Sequence, residues 1–523
     1  MRATTMSAGA WRERLVRAAA WFRSACLVAL AATVGAAAAP LRLAGLFGDG
    51  AVLQRDRPVP VWGWAAPGAA VSVEFRGERV TATADGEGRW QVSLPPMPAA
   101  SDPAALVVRT AGEACTVADV VVGEVWLCSG QSNMEWTVAQ SANAEHEIAA
   151  ADLGLVRQFR IAKVPAEEPA RDVRGGWRPA LPAHVGAFSG VAYFFARDLH
   201  RALGVPVGLI NASWGGKMIE VFLSAEAIRA SPHAAAIQRR WVAERDDLDA
   251  KAATYPQQLA EWVAAQAAAR AAGTKWDRPR PSDPRGIRDQ HRPACVFNGM
   301  VAPVTPTALR GVIWYQGEHN VTRAAEYRDL FPALISDWRA QFGGRDLPFL
   351  FVQLAAYSAP LDRSRVAYAE LREAQATALA VPGTGMAVAL DLGSPGDVHP
   401  RNKQEVGVRL ARVAKARVYG LGGEWSGPVF RLARREGETV RIEFDHAAGG
   451  LVARSVPVPG FELAGGDGVF HQADAVVSGA AVLVRSPAVP VPRAVRYAWA
   501  NAPDVGLFNT VGLPAAPFRH SLP

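Results

Sequence analysis

One ten-residue block carries the residue types of acyl-transfer chemistry: Leu127-Cys128-Ser129-Gly130-Gln131-Ser132-Asn133-Met134-Glu135-Trp136. It follows an apolar run, 120–126, that reads as a buried strand. A serine flanked by Gly, Gln and Asn just past such a strand sits at a chain reversal. Its hydroxyl is exposed there, and backbone N–H groups lie close by. A nucleophilic serine needs that setting: room for a substrate carbonyl, and donors aimed at the oxyanion that forms. The same composition also makes an ordinary strand-to-helix turn with Ser132 or Asn133 as its N-cap, so the block gains meaning only beside others.

Three further blocks follow in order. Val207-Gly208-Leu209-Ile210-Asn211-Ala212-Ser213-Trp214-Gly215-Gly216 is an apolar strand ending in a double glycine. Gly311-Val312-Ile313-Trp314-Tyr315-Gln316-Gly317-Glu318-His319-Asn320 is another strand, ending in Gln-Gly-Glu-x-Asn. Gly396-Asp397-Val398-His399-Pro400 lies near the carboxyl end of the core. Together these blocks resemble the SGNH/GDSL hydrolase superfamily, and more closely the sialate O-acetylesterase-like carbohydrate esterases. That family's blocks read like GQSNM, a strand followed by Gly-Gly, WYQGExN, and D-x-H-P before a small helix. The resemblance covers nearly the whole chain after residue 40, including Val52-Leu53-Gln54-Arg55, Val495-Arg496-Tyr497-Ala498-Trp499 and Gly512-Leu513-Pro514.

Ser132 is the expected nucleophile, and His399 the base that a weakly nucleophilic hydroxyl requires. Asp397 is the expected partner that orients the imidazole and stabilises the imidazolium. Many SGNH enzymes place this Asp three residues before the His; here that position is Gly396, and Asp397 is two before. Asp391, at the end of a predicted strand, is the alternative carboxylate, and a backbone carbonyl is a further arrangement. The expected oxyanion hole draws on the N–H of Ser132, a backbone N–H at Gly215 or Gly216, and the amide of Asn320. Glycine lets backbone approach the substrate closely. Gln131, Gln316 and Glu318 are expected to line the site or to hold its loops. Lys217 stands where Thr usually follows Gly-Gly, and His319 stands inside the third block. The resemblance implies removal of O-acetyl groups from carbohydrates through an acyl-enzyme, with an acetylated carbohydrate as partner and neither metal nor organic cofactor.

The elements that must position these residues are legible as well. Runs 120–126, 207–211, 311–315, 349–354 and 386–390 are continuously apolar, as fully buried parallel strands are. Helical stretches such as 191–203 and 327–342 lie between them. This alternation predicts an α/β fold, a doubly wound parallel sheet with helices on both faces, which the resemblance specifies as SGNH-type. Ligands in that architecture bind at the carboxyl ends of strands, where Ser132, Gly215-Gly216 and the 316–320 block all fall. β-patterning before and after predicts flanking β-sandwich-like domains at 39–118 and 416–523 around a catalytic domain at 119–415. An Ala-rich insertion at about 222–290 reads as two helices and an irregular exit loop, either a spacer or a rim over the site.

Residues 1–38 read as a secretory signal peptide: a basic stretch, an apolar stretch from Cys26, then small residues. The expectation is therefore an exported, periplasmic or extracellular protein. Removing this segment, with its five Arg and one Glu, leaves a formal charge of +3 in place of +7. No basic run interleaved with aromatics stands out, so nucleic acid is not an expected partner. No later run is long enough to span a membrane. Cys115, Cys128 and Cys295 match no zinc spacing, and one disulfide among them is open. Two other readings remain: an acetylesterase for xylan, xyloglucan or pectin, and a non-catalytic carbohydrate-binding protein, which the 16 Trp would suit.

Overall fold

The computed structural model describes residues 40–286, 289–344 and 346–523, so the expected signal segment lies outside the described residues. Its centre is a sheet in the order Trp177–Ala180, Leu153–Arg160, Val207–Asn211, Ala114–Gly130, Gly311–Tyr315, Phe349–Gln353, Thr384–Val388. All neighbours are parallel except the edge strand Trp177–Ala180, which runs antiparallel to Leu153–Arg160. The inner strands Val207–Asn211, Gly311–Tyr315 and Phe349–Gln353 are buried at every position. That burial is why they read as unbroken apolar runs. Helices Gly190–Leu203, Ala324–Gln341, Ala367–Ala376 and Lys403–Arg417 cover the sheet.

The chain starts this sheet in its middle. After Ala114–Gly130 it builds to one side, then returns to build Gly311–Tyr315 and its successors on the other. The strand order reverses at Ala114–Gly130, and the crevice beyond the carboxyl end of such a strand is where doubly wound folds bind ligands.

The flanking regions are β-structure. Ala114–Gly130 is one strand that pairs antiparallel with Ala100–Arg109 near its start and parallel with Val207–Asn211 further on. The expected boundary at 118 therefore falls inside a continuous strand shared by both regions. The carboxyl-terminal region holds two four-stranded sheets. They meet through Phe430 and Phe444 on one and Phe518 on the other, with ring centroids 4.5 and 6.0 Å apart.

One expectation changes here, and the open question of a disulfide closes. The insertion carries one helix of 38 residues, Ala234–Ala271, where two were expected. Pro256 lies inside it without ending it, and the helix's buried residues, Leu248 and Tyr255 among them, all precede the proline. Cys115, Cys128 and Cys295 are all free thiols, so no disulfide joins them. Among the described residues, no helix is long and apolar enough to cross a membrane.

Candidate active site

The exit of the central strand is held from both sides. Gln131 N–H donates to Tyr315 O at 3.0 Å, and Trp214 N–H donates to Gly130 O at 2.9 Å. Gly130 has φ +134°, and a Cβ there would lie 2.1 Å from Tyr315 O, so only glycine fits the turn. One turn of helix follows, Ser132–Glu135, with Gln131 as its N-cap. Gln131 O accepts from the N–H of Met134 and of Glu135. The N–H groups of Ser132 and Asn133, in the first turn, have no intrahelical acceptor.

His399 comes from the loop before the Lys403–Arg417 helix. Asn402 caps that helix, its side chain accepting from Glu405 N–H at 3.1 Å. His399 Nε2 lies 2.8 Å from Ser132 Oγ. The imidazole stacks on Trp136, centroids 4.6 Å apart at 17°. Asp397 Oδ1 accepts from the backbone N–H of His399 at 2.8 Å, so its carboxylate shapes the loop rather than holding the ring. No described residue accepts from Nδ1. Asp391 is committed elsewhere, to a bidentate ion pair with Arg409 at 2.6 and 2.9 Å.

Beneath these groups lies a buried polar network. Asn133 Nδ2 donates to Val398 O at 2.9 Å and to Glu318, and Asn133 Oδ1 accepts from the Lys403 ammonium. One side chain thus joins the nucleophile turn, the His399 loop and the Glu318 turn. Burial pushes the Glu318 carboxyl above its ordinary range and brings Lys403 down to about 7. His399 is held below the usual histidine value, first by burial and then by the Lys403 charge, with Asp397 opposing.

The expected oxyanion donors differ in availability. Gly215 lies against Ser132: a Cβ there would be 3.4 Å from Ser132 Cβ and 3.0 Å from Glu135 Oε2. Its N–H already donates to Glu135 Oε2 at 2.6 Å. Glu135 also meets Arg160 and Lys163. The Gly216 N–H carries no such commitment among the described residues. Asn320 is fully buried; its Nδ2 donates to Glu220 at 2.9 Å, and its Oδ1 accepts from Ile219 N–H and Gln316 Nε2. Gln131 Oε1 accepts from the N–H of Gly317 and of His319, and no described residue accepts from its Nε2. Gln316 Nε2 also reaches Lys217 O at 3.2 Å. The structure therefore brings Ser132, His399, Gly215, Gly216 and Gln131 to one edge, while Gln316, Glu318 and Asn320 lie beneath it.

Four residues escaped the sequence reading as site residues: Asn133, Glu135, Trp136 and Lys403. A signal for Lys403 existed. It stands three and seven residues before Val406 and Leu410, on the buried face of its helix.

The model of the carbohydrate esterases described as sialic acid-specific acetylesterases matches residues 290–416, and together with the relatives below it places the chain among the carbohydrate esterases, which are carboxylic ester hydrolases. Rat sialate O-acetylesterase is 32% identical over 421 residues, 72% of this chain and 74% of the rat protein. The human sialate O-acetylesterase is 30% identical over 416 residues, 72% of this chain and 71% of its own length. A carbohydrate acetylesterase from Xanthomonas citri, known by crystal structure, superposes with a TM-score of 0.78 at 39% identity, covering 92% of this chain and 99% of its own. The chain belongs to the sialate O-acetylesterase family.

Proposed function

We propose that this chain is an exported carbohydrate O-acetylesterase that works through an acetyl-enzyme on Ser132. The observation that carries the reading is the 2.8 Å contact between Ser132 Oγ and His399 Nε2 at the carboxyl edge of the strand where the sheet order reverses. His399 takes the hydroxyl proton as Oγ attacks the acetyl carbonyl, then gives it to the departing sugar oxygen. Water, deprotonated by the same imidazole, releases acetate. The oxyanion faces the N–H groups of Ser132 and Gly216, while Gly215 keeps the approach to Oγ clear. Trp136 sets the plane of the imidazole, and Asp397 sets the backbone that carries it. Export rests on the composition of residues 1–38, and an acetylated carbohydrate substrate rests on the named relatives. Acetate release from a panel of acetylated glycans tests this reading.

The depressed His399 value fixes the sign of the pH dependence. The base must be neutral, so the acid limb of kcat/KM lies below pH 6.5, the unperturbed histidine value. Lys403 loses its proton only around pH 7 and is charged across that range. Lys403→Met therefore raises the midpoint of the acid limb. It also lowers kcat by about tenfold, the equivalent of one charge-assisted hydrogen bond to Asn133. A purely structural lysine would lower kcat and leave the midpoint in place.

Asn320 separates two roles in the same way. With its Nδ2 held by Glu220 and its Oδ1 by two donors, Asn320→Ala leaves Ile219 N–H without its acceptor and Glu220 Oε2 without its amide donor. The expected result is a melting temperature lower by several degrees, about 1–3 kcal/mol, together with a similar fractional loss on every substrate. A loss of about 10²–10³ in kcat with an unchanged melting temperature would instead make Asn320 a direct oxyanion donor.

A further inference from the structure

Against the Glu318–Arg323 turn lies a cavity of about 200 Å³. One wall is His319 and Arg323, from the Glu318–Arg323 turn. Backbone N–H of His319 donates to Gln131, the residue preceding Ser132. A second wall is Met218, two residues beyond the Gly215-Gly216 turn. The Ala234–Ala271 helix closes the third side with Ile237, Trp241 and Glu244, and His291 follows from the end of the insertion. The insertion is thus a wall of the site's surroundings rather than a detached spacer.

We propose that this cavity binds a neutral sugar residue next to the acetylated one, so that the insertion sets substrate preference; the proposal rests on the esterase reading above. Ile237, Trp241 and Met218 offer apolar surface for the C–H face of a sugar ring, and the polar groups offer hydroxyl partners. His291 Nδ1 is held by Glu244 Oε1 at 2.5 Å, which leaves its other nitrogen for a ligand. His319 and His291 face each other with centroids 5.8 Å apart. Burial, then His291 and Arg323, keep His319 below the usual histidine value, so at neutral pH it is an uncharged ring that both donates and accepts.

The charges choose the sugar. Arg240 is bound to Glu326 and Glu220, and Arg323 also reaches Glu220. The two guanidinium groups on the wall are balanced by the carboxylates of Glu220 and Glu244. A ligand carboxylate would lose its water here without gaining an uncommitted cation, whereas hydroxyl groups meet no such penalty. Lys217 does not line the cavity; it donates to Gln290 Oε1 at 3.1 Å.

The test compares two variants on three substrates. His291→Ala acts from the insertion side, and His319→Gln, on the facing wall, acts from the other and keeps the test usable should the first fold poorly. On an acetylated xylo-oligosaccharide, each is expected to lower kcat/KM by about tenfold, mainly through KM, as one lost hydrogen bond implies. On 4-nitrophenyl acetate, which has no sugar, the ratio of mutant to wild type is expected to stay within about twofold. Equal losses on both substrates, or no loss on either, overturn the subsite. A loss on O-acetylated sialic acid exceeding that on the xylo-oligosaccharide overturns the neutral assignment. Wild-type protein that releases acetate from none of the glycans overturns the esterase reading itself, an outcome separate from the other two.

Discussion

Ser132→Ala is expected to abolish acetate release, with kcat lower by ~10⁴ or more and the melting temperature unchanged. In the proposed mechanism Oγ is the atom that forms the bond, so no neighbouring group replaces it. The side chain is half-buried at the first helical position, and its removal opens no core volume. The backbone N–H donors and the sugar contacts survive the substitution. Substrate binding should therefore persist with KM or Kd changed by less than a few-fold, which inhibition by an unreactive glycan would measure. Activity above a few per cent of wild type, in protein purified away from any other esterase, would remove Ser132 from the nucleophile's role.

His399→Ala is the second large effect. The imidazole lies within hydrogen-bond reach of Oγ, and in the proposed mechanism the two act as one unit. The loss should approach that of Ser132→Ala, and the double variant should be no worse than either single one. Two controls mark where the chemistry ends. Asp397→Ala should cost far less, because the carboxylate holds the His399 backbone N–H rather than the ring. Asp391→Ala should act on stability, because it removes the bidentate partner of the buried Arg409 guanidinium and leaves it only Glu405 as a counter-charge. A loss from Asp397→Ala as large as that from His399→Ala would mean that the carboxylate meets the ring during turnover.

The legible parts of this fold were those with a short-range signal. Val207–Asn211 and Gly311–Tyr315 fall at their expected limits because their apolar runs end at Asn211 and Tyr315, where polar or glycine residues begin. Helix ends shifted by a few residues: Ala324–Gln341 was expected at 327–342, since no cap marks its start. The single helix across Pro256 was missed because proline ordinarily ends a helix. The placement of Ser132 and Gly215 on one edge was legible because each lies just past a strand, whereas the 316–320 block, expected on the same edge, lies beneath it, its Gln316 and Asn320 buried in a polar network. What each side chain touches was not legible. Asp391 finds Arg409 eighteen residues on, Gly215 N–H finds Glu135, and Asn320 finds Glu220, and none of these pairings has a local spacing to betray it. Asn133 is a plain case: its neighbours in sequence mark a turn, and only the folded sheet edge brings Val398, Glu318 and Lys403 around it.

The acetyl-enzyme is the central claim, and trapping it tests the claim most directly. The protein is mixed with excess 4-nitrophenyl acetate, quenched in acid within milliseconds, digested, and its peptides weighed by mass spectrometry. The account predicts one acetyl group on the peptide that spans Gly130 to Trp136, localised to Ser132, with a burst of 4-nitrophenolate no larger than the enzyme concentration. The acetyl group should be absent from Ser132→Ala and should persist longer in His399→Ala if any forms there. An acetyl group on another residue, or steady turnover with Ser132 never modified at any quench time, would contradict the account.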